Sequence, residues 1–355
     1  MSDLFSPLTL RGLSVKNRAW VSPMCQYSAT DGVVGAWHRV HLGAFATGGA
    51  GLIMAEATGV VAQGRISINC PGLWNDEQVA AWREVTTFAH DQGASIGVQL
   101  SHAGRKGSTL APWDDHLVAG PSEGGWQTVA PSAEPFTGYP TPRAMTVEEI
   151  HATVLAFAEA SQRAMAAGFD AVEIHSAHGY LLHQFLSPLS NHRDDHYGGP
   201  FENRTRFLVE VVDAVRERLT DAPLFVRLSA TDWTANGWDL DASVDLAATL
   251  RDHGVDLIDV SSGGNVAGAT IPLAPGYQVP FAQRIRREAQ IATSAVGLIT
   301  DPSQAEAIIR NGDADAVMMA RAYLRNPRWA LNAAEDLGEV IGWPQQFDRA
   351  RTVRA

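Results

Sequence analysis

The chain has 355 residues, 45% of them hydrophobic and 19% charged, and its 27 Lys and Arg against 39 Asp and Glu give a formal charge of −12. That is enough apolar material for a large core, and the scattered basic residues make neither nucleic acid nor an anionic lipid surface an expected partner. No apolar run approaches the roughly 20 residues of a membrane helix, and the start Met1-Ser-Asp-Leu-Phe carries no basic and then apolar leader, so a cytoplasmic protein is expected.

In chain order, short β-branched runs alternate with helical patterns. The strands are expected at Arg18 to Val21, Gly51 to Ala55, Ser95 to Leu100, Ala171 to His175, Leu224 to Leu228, Asp256 to Val260, Ala292 to Val296 and Asp315 to Met319. Near-continuous apolar runs of this kind suit a parallel sheet covered by helices on its outside. Thr146 with Glu149 makes a capping box ahead of a helix over Ile150 to Ala167. Asp301-Pro302 gives an N-cap and a first-position proline for a helix over Gln304 to Arg310. Gly168, Gly254 and Gly312 fall where a left-handed helix terminus is wanted. About eight such repeats predict an α/β fold, a closed (β/α)8 TIM barrel. No G-x-G-x-x-G follows a strand, which argues against an open dinucleotide-binding sheet. One domain over 1–355 is expected, with an insertion over about 101–145 and a C-terminal tail over about 340–355. The insertion leaves the third strand, is rich in Gly, Pro, Ser and Trp, and is read as a lid over the barrel mouth.

The chemistry of a barrel gathers at the C-terminal ends of its strands. Read as one set, these ends carry Ser22-Pro23-Met24-Cys25-Gln26-Tyr27, Glu56-Ala57-Thr58, Gln99 with His102 to Lys106, His175 with His178 and Tyr180, Arg227, Ser261 to Gly264, Gly297 and Arg321. Two imidazoles and a phenol within six positions are a candidate catalytic group. Arg227, at the end of an apolar strand, must meet an anion or strong acceptors. Gly297 and Arg321 come from the seventh and eighth strands, where barrels commonly bind phosphate. His183 and His192 are read as structural. Cys25 and Cys70 stand in unlike contexts without metal-ligand spacing, so both are read as reduced thiols and no structural zinc is expected.

These stretches resemble the old yellow enzyme family of FMN-dependent ene reductases, in its thermophilic-like bacterial subclass that includes xenobiotic reductases. The similarity is carried by Ser22 to Cys25 with Tyr27, Gln99 to Lys106 (Q-L-S-H-A-G-R-K), Glu173 to Tyr180 (E-I-H-S-A-H-G-Y), and Phe185 to Asn191. It continues through Tyr197 to Gly199, Glu202 to Arg204, Phe225 to Arg227, Asp256 to Ser262, Val296-Gly297 and Ala320-Arg321. The resemblance implies that Ser22, Pro23, Met24, Cys25 and Ala57 line the flavin ring, and that Gln99 bonds its pyrimidine edge. It further implies that Arg227 lies where reduction places negative charge, and that Gly297, Ala320 and Arg321 hold the phosphate. Cys25 would tune the flavin rather than attack a substrate.

The implied reaction takes hydride from NADPH or NADH through FMN to the β-carbon of an activated alkene: an enone, enal, nitroalkene or maleimide. His175 and His178 would grip the electron-withdrawing oxygen, Tyr180 would deliver the proton and Tyr27 would touch the substrate. Relatives often carry glycine where this chain has Ala320, a change that is harmless if that residue keeps a negative φ. A homodimer or tetramer is implied, with Arg349 as the residue that reaches a neighbour's active site. Two other readings stand beside this one: a metal-dependent hydrolase using His175, His178 and His183, and a flavin-binding protein without turnover.

Overall fold

A computed structural model describes residues 2–351 of the chain. Eight parallel strands close into a barrel. They are β1 (Ala19–Val21), β2 (Leu52–Gly59), β3 (Ser95–Ser101), β4 (Ala171–Ser176), β5 (Leu224–Ser229), β6 (Leu257–Ser261), β7 (Ala292–Ala295) and β8 (Ala316–Met319). Each pairs with its neighbours in sequence, and β8 closes on β1 through Val317 opposite Ala19. The expected strands are all present, within a residue or so at most ends. The exception is β2, where Glu56, Ala57 and Thr58 belong to the strand itself and the register shifts between Ala55 and Ala57.

A helix follows every strand. Val147–Ala166 is started by Thr146, whose side chain accepts from Glu149 N while Glu149 takes Thr146 N. Pro302–Arg310 is started by Asp301, which accepts from Ser303 N and Gln304 N. Gly168, Gly254 and Gly312 all have positive φ, as a left-handed helix terminus requires. Outward-facing Ile96, Val98, Val172, Ile174, Val226 and Ile258 pack on helix residues such as Trp82, Phe157, Phe207 and Val211 in one continuous buried core. Burying side chains of this size contributes on the order of 1.5–3 kcal/mol each.

Strand alternation sorts the barrel interior by height. Near the N-terminal end Trp20, Leu52, Met54, Ala171, Phe225, Leu257 and Met318 form an apolar floor, with Trp20 stacked on Phe225. A short antiparallel hairpin, Leu8–Leu10 with Leu13–Val15, lies under it and adds Leu10 and Val15 to the cluster. Two residues further along the same strands come Glu173, Arg227 and Asp259, and two further again His175, Ser229 and Ser261. The apolar floor thus supports a polar middle layer, and the mouth sits above that. The insertion after β3 is less irregular than its composition suggests. It holds turns at Gly104–Lys106 and Pro121–Glu123 and a parallel ladder joining Val129–Ala130 to Arg143–Ala144.

Candidate active site

At the end of β4 the chain turns sharply through His178 (φ 58) and Gly179 (φ 72) into the helix Leu181–Leu186. A side chain on Gly179 would meet Gly264 O at 2.3 Å, so only glycine fits there. The left-handed His178 is held from several sides. Its N–H donates to Ser229 Oγ at 2.9 Å, Ser229 Oγ donates to Gly263 O, and Lys106 Nζ donates to His178 O at 2.8 Å and to Gly264 O at 2.9 Å. Lys106, one of the residues gathered at the end of β3, is therefore a clamp on this turn. Burial lowers its pKa to about 8.

The clamp brings the two imidazoles together. His175 Nε2 and His178 Nδ1 are 3.5 Å apart, too long for a good mutual hydrogen bond and well spaced for a shared acceptor. Tyr180 closes the group, its ring 5.1 Å from that of His175. Desolvation first, and Arg227 second, hold both histidines well below the usual imidazole pKa. Burial pushes the Tyr180 phenol well above its ordinary value. The site therefore presents two neutral imidazoles and an un-ionised phenol at neutral pH. His178 Nε2 is 2.7 Å from Ser261 Oγ, while Ser262 Oγ donates to Gln278 Oε1 at 2.6 Å. Ser261 Oγ lies 3.5 Å from the same Gln278 oxygen, so its much shorter contact, to His178 Nε2, takes the Ser261 proton and leaves Nδ1–H pointing at the mouth.

Ser22 is buried after β1 and its N–H donates to Met319 O; Pro23, Met24, Cys25 and Tyr27 follow half-buried. The segment does not stay extended, because Tyr27 has φ 50. It still brings Cys25 and Tyr27 against Ala57, Ile66, Cys70, Ala103 and Tyr180 in one cluster. Tyr27 also meets the edge of Trp113 from the long insertion, with ring centroids 5.7 Å apart. The Cys25 thiol is raised well above its usual pKa, by its hydrogen bond with Cys70 first and by burial second. Both cysteines are free thiols, as expected, but their unlike sequence contexts do not keep them apart: both thiols, and Glu56, meet at this wall.

Below the mouth, Gln99 Nε2 donates to Glu173 Oε1 at 2.7 Å, which uses one of the two amide N–H groups and leaves the other, with the amide oxygen, for a ligand. Arg227 Nε lies 3.0 Å from Asp259 Oδ2, and Ser294 Oγ donates to Asp259 Oδ1 at 2.7 Å. Arg227 thus meets its acceptor inside the barrel, with Asp259 as a partner that sequence reading had not assigned. Glu173 is pushed up to about 8, by burial first and by Asp259 second.

Between the ends of β7 and β8 lies a cavity of ≈ 220 Å³ bordered by Ser261, Tyr277, Gln278, Gly297, Ala320 and Arg321. Gly297 has φ 122, and a Cβ there would come within 2.8 Å of Gln278 Nε2. Ala320 has φ −100, so an alanine costs no strain at that position. A cradle that a side chain would fill, beside an exposed arginine, fits the phosphate end of a flavin nucleotide.

Two residues lie apart from this group, His183 in the structural role expected of it. His183 does not join the pair, because its Nδ1 accepts from Gly179 N at 2.9 Å and its Nε2 faces Asp232 at 3.1 Å; the three-histidine metal reading loses its third ligand. Arg349 is exposed in the tail. Residues 341–346 border a cavity of ≈ 680 Å³ at the opposite end of the barrel, beside Lys16, Asn17, Asp91 and Gln92. The Arg328 guanidinium holds Phe347 there, 4.1 Å from its ring centre.

The pattern of the NADH:flavin oxidoreductase / NADH oxidase family matches residues 3–339. An NADPH dehydrogenase of Geobacillus sp. (strain WCH70) is 52% identical over 98% of both chains, and one of Listeria monocytogenes serotype 4a (strain HCC23) is 48% identical over 99% of both. Among solved structures, morphinone reductase in complex with tetrahydroNAD superposes with a TM-score of 0.80 at 32% identity, covering 97% of this chain and 93% of that one. The old yellow enzyme homologue from Zymomonas mobilis gives 0.78 at 28% identity, over 96% and 94%. With a barrel mouth whose groups suit a flavin and its phosphate, and relatives this close along the whole length, the chain belongs to the NADH:flavin oxidoreductase / NADH oxidase family and is an FMN-dependent NAD(P)H oxidoreductase of the old yellow enzyme type.

Proposed function

We propose that this oxidoreductase is an ene reductase acting on enones, enals, nitroalkenes or maleimides. The observation that carries the reading is the pair of neutral imidazole nitrogens 3.5 Å apart beside a protonated phenol. Hydride transfer from NADPH or NADH to the alkene β-carbon is the chemistry that bound FMN would supply. His175 and His178 each donate one N–H to the substrate's carbonyl or nitro oxygen, and the charge that builds there is stabilised by donors already in position. Tyr180 gives its proton to the α-carbon, and Tyr27 packs against the substrate. Ser22, Pro23, Met24, Cys25, Ala57, Gln99 and Arg227 hold the flavin ring, and Gly297, Ala320 and Arg321 hold its phosphate.

The insertion over 101–145 works as a lid through Trp113 and sets substrate choice. The working unit is a homodimer or tetramer in the cytoplasm, with Arg349 of one copy completing the mouth of another. Single-turnover spectroscopy tests the reaction: the FMN-loaded protein is bleached anaerobically with NADPH and mixed with 2-cyclohexenone, a nitroalkene or a maleimide. Reoxidation of the flavin with one saturated product per turnover is expected. Bleaching that none of these alkenes reverses would sink the ene-reductase reading.

A further inference from the structure

Behind the pocket wall lies a group of side chains that the proposed reaction leaves largely unused. Cys70 is fully buried, Glu56 is 4% exposed, and only Cys25 of the three is partly open. Their ligand atoms, two Sγ and one carboxylate oxygen, all lie within 4.8 Å of one another. Around one tetrahedral zinc, with Zn–S of about 2.3 Å and Zn–O of about 2.0–2.2 Å, neighbouring ligands are separated by roughly 3.5–3.8 Å. The three atoms need close in by no more than about an ångström to share an ion of that kind.

Glu56 is also held as a ligating carboxylate is held. Gln26 N–H donates to its Oε2 at 2.8 Å, and His38 Nε2 lies 3.3 Å from its Oε1. His38 Nδ1 accepts from Gly35 N at 3.2 Å, so the ring proton sits on the nitrogen that faces the carboxylate. Among the described residues no Lys or Arg is within ion-pair range of Glu56. With Gln26 N–H on one oxygen, the His38 ring near the other and no Lys or Arg beside it, this buried carboxylate has room for a cation. The thiols come from the segments after two paired strands, Cys25 after β1 and Cys70 after β2, and meet beside Glu56 on β2.

We propose that Cys25, Cys70 and Glu56 form a binding site for a thiophilic divalent cation of the zinc class, whose occupancy slows turnover. Both thiols release their protons to solvent as their sulfur lone pairs bind the ion, and the fourth position opens toward the pocket beside Cys25. The inhibitory part rests on Cys25 lining the flavin pocket; the binding part does not.

The test uses the FMN-loaded protein, reduced with a phosphine, stripped with a chelator and dialysed against zinc. One tightly held equivalent per chain is expected, and zinc X-ray absorption should show two sulfur ligands at about 2.3 Å and oxygen at about 2.0 Å. That readout needs no variant, so a folding defect cannot blur it. In Cys70→Ser the affinity should fall at least tenfold, and the zinc concentration that halves NADPH-dependent turnover should rise by the same factor. No bound equivalent, an absorption edge showing nitrogen and oxygen ligands alone, or undiminished affinity in Cys70→Ser overturns the site. Zinc bound through two sulfurs without any loss of turnover overturns the inhibitory part. Failure of the alkene reaction leaves the metal stoichiometry to be read on its own.

Discussion

Ser261, on the border of the cavity that suits the flavin phosphate, also decides which proton His178 offers. Its hydroxyl lies 2.7 Å from His178 Nε2 and 3.5 Å from the Gln278 oxygen, so it donates to the nearer ring nitrogen and fixes the Nδ1–H form. Replacing Ser261 with alanine frees the tautomer, and flavin reoxidation by an enone should slow by roughly tenfold while reduction by NADPH stays near wild type. Rapid-mixing absorbance separates the two half-reactions, and equal slowing of both would refute this role. Both histidines titrate well below neutrality, so the enone half-reaction should be flat from about pH 6 to about pH 7, below the range in which Lys106 and Glu173 lose their protons. A rise in rate on acidification through that window would show that imidazolium is the active donor. Tyr180→Phe keeps the ring contact with His175 and removes the proton; normal bleaching with enone turnover slowed by about 10²–10⁴-fold is expected, and wild-type turnover would remove the acid role. His175, His178 and Tyr180 were legible in sequence because all three follow one strand. Ser261 was visible as part of a strand end, but its partner was not, since that contact spans 83 positions.

At the level of elements, the strands announced themselves through apolar runs broken by Gly, Pro or polar clusters, and the capped helices through Thr146 and Asp301. What stayed hidden has physical causes. The hairpin at Leu8–Val15 is built from two three-residue strands, too short for a period to register. The bulge in β2 changes which residues line the wall, and neither Glu56 nor Ala57 signals it. The polar middle layer was hidden for the same reason. Glu173 and Asp259 lie inside apolar runs, and their pairing with Gln99 and Arg227 follows from the register of β3 against β4 and of β5 against β6. This layer holds two carboxyls and one guanidinium, so burial favours keeping Glu173 protonated, to about pH 8. A carboxyl whose folded pKa is raised stabilises the fold fully below its unfolded value and loses that contribution as pH rises through the folded one. The flavin-free protein should therefore lose thermal stability between about pH 5 and pH 8, and Glu173→Gln should flatten the loss. Parallel pH profiles for the two proteins, read by calorimetry, would contradict this placement of the proton.

For the molecule as a whole, the tail sets the sharpest question. Residues 341–346 run along the end of the barrel away from its own mouth, and Phe347 is pinned beneath Arg328, yet Arg349 is left exposed with nothing of its own site near it. An arginine so placed serves a pocket only if another copy presents that pocket, and cyclic symmetry would then give each copy both a donor tail and a receiving mouth. Sequence similarity suggested the residue; no pattern within one chain could show where it goes, because the acceptor lies on a different molecule. Arg349→Ala should lower kcat/KM for the alkene by about tenfold or more, the worth of one charge-assisted hydrogen bond, with flavin reduction unchanged. Subunit mixing separates an arrangement across the interface from one within the chain. In a heterodimer of Arg349→Ala with Tyr180→Phe, the first chain keeps its own Tyr180 and receives Arg349 from the second, so one intact site returns although each variant alone is impaired. Recovery of alkene reduction in the isolated, doubly tagged heterodimer is the expected result. Activity no higher than the average of the two variants would place Arg349 outside the neighbouring site.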